Sequence, residues 1–134
     1  MTIFLIGIII FGVLVLAVIN RFGKIRGPSL NHQYFEEQWT MLLARVKTPE
    51  GMVLAIVDAD KLLDQALKKH RFKGKTMGER LVSAQRMIKD NDAVWYAHKL
   101  RNRLVHEPNV RLKKREAQIA LAGFRQGLKD LGAL

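Results

Sequence analysis

The first charged side chain in this sequence is Arg21, so every acid and every base lies at or beyond that position. That asymmetry constrains the fold more than any other feature. Residues 2–20 are uncharged, and their centre is Ile, Leu, Val and Phe with Gly7 and Gly12. As a helix, the run from Ile3 to Ile19 rises roughly 25 Å, against a hydrocarbon core of about 30 Å. The segment is therefore expected to be a single transmembrane helix that spans with local thinning. A cleaved signal peptide would place its positive residues before the apolar run. Here Arg21, Lys24 and Arg26 follow it, and Leu16-Ala17-Val18 is a poor cleavage site. The reading is a membrane anchor over 1–20, a basic linker over 21–30 with Gly23, Gly27 and Pro28, and a domain over 31–134. Because positive flanks stay inside, the N-terminus is expected outside and the domain in the cytoplasm.

Beyond the uncharged run the chain is strongly basic: 23 Lys and Arg against 12 Asp and Glu give a formal charge of +11. The absence of cysteine excludes a disulfide-stapled fold, a Cys-ligated zinc module and thiol catalysis. With 49% hydrophobic residues and 3 prolines, the chain is neither collagen-like nor disordered. No Gly-rich phosphate loop, nucleophile elbow or pair of catalytic carboxylates occurs. His32, His70, His98 and His106 lack metal-ligand spacing, so neither a metal nor a cofactor is expected.

From Asn31 onward apolar residues recur with the helical period, and no stretch alternates as a strand would. The fold class expected is all-α, a bundle of about five helices behind the anchor. The first covers 31–47, with Phe35, Trp39, Leu42, Leu43 and Val46 on one stripe. Thr48-Pro49-Glu50 combines a capping residue, a first-turn proline and a first-turn acid, and opens a second helix to about Lys69. Its inward set is Val53, Ile56, Val57, Leu63 and Leu67. Thr76-Met77-Gly78-Glu79 has the capping-box pattern and starts a third helix to about Lys89. Asp90-Asn91-Asp92 caps a fourth, which ends near His106 before Pro108. The fifth, over 113–131, buries Ala117, Leu121, Phe124, Leu128 and Leu131. Short connections imply mostly antiparallel neighbours.

Two charges fall where apolar residues belong. On the fourth helix, Arg101 lies within the stripe formed by Ala97, Leu100, Leu104 and Val105, centred a little before Val94, with His98 and Asn102 flanking it. On the second, Asp60 and Asp64 fall inside the sector of Ile56, Leu63 and Leu67. An unpaired buried ion costs several kcal/mol, so Asp60, with Asp64 as second choice, is expected to pair with Arg101. One reading of this pair is purely architectural. The other is that Arg101, Asn102 and His106 open onto a cleft or a dimer groove and hold a phosphate. Arg101 and His106, five apart, diverge by about 140° on a regular helix. Their convergence needs fraying at the helix end or a second subunit. Asn102 and His106, four apart, share a face.

Arg101-Asn102-Arg103-Leu104-Val105-His106 resembles the Arg-Asn-x-x-x-His form of the motif that marks the HEPN superfamily, short all-α bundles that often dimerise. The resemblance extends over about 51–131 in helix order, and Asp60 or Asp64 resembles the acidic residue those proteins tend to carry on an earlier helix. It implies a homodimer and, in active members, a metal-independent endoribonuclease. On that resemblance Arg101 would bind the scissile phosphate, Asn102 would support the site, and His106 would be the acid/base group. Many members are inactive and serve as RNA-binding or protein-interaction modules. A capping role also accounts for His106, since a helix C-terminus favours a cationic imidazole.

The basic run Lys68, Lys69, Arg71, Lys73 and Lys75, with Arg111, Lys113, Lys114 and Arg115 further on, suits RNA phosphates, and Phe72 suits a stacked base. Beside an anchor the same charge suits anionic lipid. Two functions remain: RNA binding with metal-independent cleavage, or a non-catalytic tethered scaffold with a structural Arg–Asp pair.

Overall fold

A computed structural model of the chain describes residues 1–22 and 28–134. Among these residues it holds six helices and no strand. They are α1 (Thr2–Phe22), α2 (His32–Leu43), α3 (Pro49–Lys69), α4 (Met77–Ala84), α5 (Asn91–His106) and α6 (Lys114–Asp130). The all-α expectation stands for the part after residue 30.

The expectation of a membrane anchor does not stand. Among the described residues no helix is long and apolar enough to cross a membrane. Within α1 the described side chains run from Phe4 to Val18. They are exposed, and among the described residues α1 packs against no other element. The single-pass topology, the outward N-terminus and the cytoplasmic placement drawn from that anchor fall with it. The central part of the expected basic linker, 23–27, lies outside the described residues.

The remaining helices start where the caps put them. Asn31 accepts from the Tyr34 N–H, Thr48 from Gly51, Thr76 from Glu79 and Asp90 from Ala93. Each of these bonds satisfies a donor that the first helical turn leaves unpaired. At Thr76 the expected capping box is modified: Glu79 reaches back to the Lys75 N–H, one residue before the cap. Two helices are shorter than their periodicity suggested. The chain leaves helical form after Leu43 and after Ala84, and turns fill 44–47 and 85–87.

α3 is the central element and packs against α2, α4, α5 and α6. Its buried face is built largely of alanine: Ala55, Ala59 and Ala66 join Ile56, Leu62, Leu63 and Leu67. Val53 and Val57, expected inward, are half-buried instead, and Leu43 of α2 is exposed. Small residues also set the approach of α6 to α5. A Cβ at Gly123 would lie 2.6 Å from the Ala93 carbonyl oxygen, so only glycine lets the two backbones meet there. Gly51 is tighter still, because its missing Cβ would fall 1.7 Å from the Arg45 carbonyl oxygen. This contact seats the 44–47 turn on the first turn of α3.

Candidate functional site

The packing of α5 on α3 brings four polar side chains together. Asp60 projects from the buried face of α3 and is 4% exposed. Its Oδ1 lies 2.7 Å from His98 Nδ1, and its Oδ2 lies 3.3 Å from Arg101 Nε. Arg101 Nη1 donates to Asn102 Oδ1 at 3.0 Å. Asn102 Nδ2 faces His98 Nε2 at 3.3 Å. The contacts close a ring: Asp60, His98, Asn102, Arg101 and back to Asp60.

Helical spacing explains why α5 can supply three members. His98 and Asn102 are four apart and share a face, while Arg101 lies three beyond His98 on the inner edge of that face. The expected Asp60–Arg101 pair is thus present, but not as a bidentate fork. Arg101 Nε is buried and has no hydrogen-bond partner among the described residues, so its 3.3 Å approach to Asp60 Oδ2 is a charge contact. The aligned hydrogen bond of Asp60 goes to His98, which the helical projection had placed only at the border of the apolar stripe.

Asp64, one turn along α3, does not meet Arg101. It takes a bidentate pair from Arg80 of α4, Nε at 2.7 Å and Nη2 at 2.9 Å, and Lys68 Nζ adds a third contact at 3.2 Å. Burial would raise the Asp64 carboxyl, but the hydrogen bonds and charges of Arg80 and Lys68 outweigh it and hold the group below its ordinary value. The Asp64 hydrogen bond in turn raises Arg80 above its ordinary value, against the effect of burial. Arg80 escaped the sequence reading, yet its signal was there. Met77, Arg80, Leu81 and Ala84 form an i, i+3, i+4, i+7 set, and all four are buried.

The ring opens on one side into a cleft of about 420 Å³ between α3, α5 and the start of α4. Its lining adds Lys61, Asp64 and the Thr76-Met77-Gly78 segment to Asp60, His98, Arg101 and Asn102. The Arg101 side chain is 23% exposed. His106 is not part of this cleft. It sits exposed at the last turn of α5, with no hydrogen bond among the described residues. The 140° divergence from Arg101 persists, since α5 stays helical through His106.

The basic run touches the cleft at its two ends, where Lys68 meets Asp64 and Lys75 precedes Thr76, while Lys69 lies over the Tyr34 ring instead. Arg80 Nη1 donates to the Gly74 carbonyl at 2.7 Å, and Ser83 Oγ donates to that of Lys73 at 2.7 Å, which ties the 70–75 loop to α4. Lys68, Lys69, Arg71, Lys73 and Lys75 all remain exposed. Phe72, in contrast, is partly buried against the core and tilts on the His70 ring, so it is not a free stacking surface. No group of three or more His, Cys, Asp or Glu side chains able to hold a metal occurs among the described residues. Comparison of the chain with family models, with curated proteins and with solved structures finds no match, so the resemblance to the HEPN superfamily rests on its motif and helix order.

Proposed function

We propose that the chain is a HEPN-like RNA-binding module that takes a backbone phosphate on Arg101 in the cleft between α3, α4 and α5. The observation that carries this reading is the state of Arg101. Its guanidinium is oriented by Asp60 and Asn102, yet it is partly exposed at a cleft whose lining also carries the exposed cation Lys61. An arginine oriented in this way loses little conformational freedom when it meets a phosphate. The exposed lysines and arginine of the 68–75 run add the long-range, salt-dependent attraction that nucleic acid binding requires.

Metal-independent cleavage by the same motif calls for a second copy of the chain. Within one copy His106 stands outside the cleft, so the His106 imidazole and the Arg101 guanidinium can act on one phosphate only from two subunits. In such a step His106 would take the proton of the ribose 2′-hydroxyl as its oxygen bonds to phosphorus and the bond to the 5′-oxygen breaks, the departing oxygen taking a proton from water and Arg101 neutralising the phosphoryl charge. The test is to incubate the full chain, held in mild detergent, with mixed RNA in the presence of a chelator. Fragments ending in 2′,3′-cyclic phosphate that vanish in His106→Ala are expected. RNA bound equally well by the parent and by Arg101→Met would overturn the phosphate assignment.

A second reading has its own support. The ring closes on itself, so the domain has a complete structural use for each of the four side chains. A non-catalytic interaction module would keep that ring for docking α5 on α3 alone. Arg101→Met would then lower stability and leave RNA affinity unchanged.

A further inference from the structure

The donor and acceptor roles around the ring are not free. Asp60 is acceptor-only when ionised, so His98 Nδ1 must carry the proton in the 2.7 Å bond to Oδ1. Arg101 is donor-only, so the Asn102 atom facing Nη1 must be the carbonyl oxygen. The Asn102 amide nitrogen then points at His98 Nε2, which must accept and therefore carry no proton. Adding a proton to Nε2 would set donor against donor. The only relief within the ring is to turn the Asn102 amide over, and that sets its nitrogen against Arg101 Nη1. Protonated His98 and the Arg101–Asn102 hydrogen bond are mutually exclusive.

We propose that His98 is a positioning residue that holds Arg101, through Asn102, only while its imidazole is neutral, so that acid frees the guanidinium and weakens its grip on phosphate. The second half of this statement rests on the RNA reading; the first does not. The charged groups facing this part of the cleft are Asp60, Lys61 and Asp64 from α3 and Arg101 from α5. The α4 segment that lines it, Thr76-Met77-Gly78, is uncharged, and Arg80 behind it is engaged by Asp64. No residue of α6 lines the cleft among the described residues. The Trp95 ring meets the imidazole edge-on at 5.9 Å and brings no charge.

The predicted sign is unusual. Protonating a histidine near RNA ordinarily strengthens binding by adding positive charge. Here the part of the affinity owed to Arg101 should fall. The experiment measures binding of a labelled single-stranded RNA of about 12 nucleotides to the full chain at constant salt, at about pH 8 and about pH 5.5, across the range where imidazoles titrate. Parent, Arg101→Met, His98→Gln and the double variant are compared. The ratio of parent to Arg101→Met affinity is expected to drop from about tenfold to about onefold on acidification, tenfold being about 1.4 kcal/mol. In the His98→Gln background the same ratio should stay constant, since glutamine can donate to Asp60 and accept from Asn102 without titrating. A parent ratio that does not change with pH, or one that falls equally with glutamine at 98, overturns the proposal. Nitrogen-15 NMR gives a readout that needs no RNA: in the neutral imidazole of His98 the proton should sit on Nδ1 and not on Nε2. The Asn102 amide and Arg101 Nε–H resonances should also shift with the His98 midpoint. Failure of those resonances to follow His98 overturns the positioning role. If they follow, while Arg101→Met binds RNA as well as the parent at about pH 8, the positioning role stands and the RNA reading fails.

Discussion

Asp60 and Asp64 sit one turn apart on the same face of α3, and their neighbours use them in opposite ways. Asp64 receives both prongs of Arg80, whose remaining Nη1 goes to the Gly74 carbonyl, so that guanidinium is fully committed inside the fold. Asp60 divides its two oxygens between a histidine and an arginine, and the arginine keeps donor capacity at the mouth of a cleft. The first arrangement is what a staple needs: one geometry, complete satisfaction, nothing left over. The second commits less of its bonding potential to the fold. Two aspartates with the same helical address thus differ in what they leave available, and function is sought where bonding capacity remains.

The comparison breaks most visibly at Arg80. Arg80→Met should cost about 3 kcal/mol in urea unfolding, because it strips the main partner from a largely buried carboxylate and releases the basic loop. Arg101→Met should cost about 1 kcal/mol, since Asp60 retains its bond to His98. Equal costs would erase the distinction between staple and site. Next in size is the Asp60–Arg101 coupling. A double-mutant cycle with Asp60→Leu and Arg101→Met should give an interaction of about 1 kcal/mol rather than strict additivity, consistent with a contact that lacks an aligned hydrogen bond. Acid sharpens the contrast from another side. The Asp64 carboxyl is lowered in the fold, so its contribution is fully present above the unfolded aspartate value of about 4 and is lost as pH falls through the lower folded value. Asp64→Asn should flatten the acid limb of the stability curve below about pH 4. The smallest effect belongs to His106→Ala, within about 0.5 kcal/mol by thermal unfolding, because the side chain is exposed and unbonded among the described residues.

Much of this was legible in the residues. Thr48, Thr76 and Asp90 marked their helix starts, because capping is a local bond that a sequence states outright. Asp60 facing Arg101 followed from the cost of burying either alone. His98 was harder to read: a histidine at the edge of an apolar stripe has no charge that demands a partner, so nothing local announces its bond to Asp60. Arg80 needed only the argument already applied to Arg101, turned on the short helix that carries it. The ends of α2 and α4 were overextended because apolar residues continue past them into turns that also pack, as Val46 and Ile88 do. The misreading of the first segment has another origin. An uncharged run satisfies a hydropathy criterion residue by residue, yet no described helix is both long and apolar enough to span.

The buried residues of α5 are Val94, Ala97 and Leu100, and none follows before the helix ends at His106. With Gly123 of α6 pressed against Ala93 in its first turn, the helix is gripped at its start, while past Leu100 only the half-buried Leu104 packs on the core. Such an element behaves as a cantilever. Its last turn can be bent, docked against or unwound by something outside while the clamped half, and the core behind it, stay where they are.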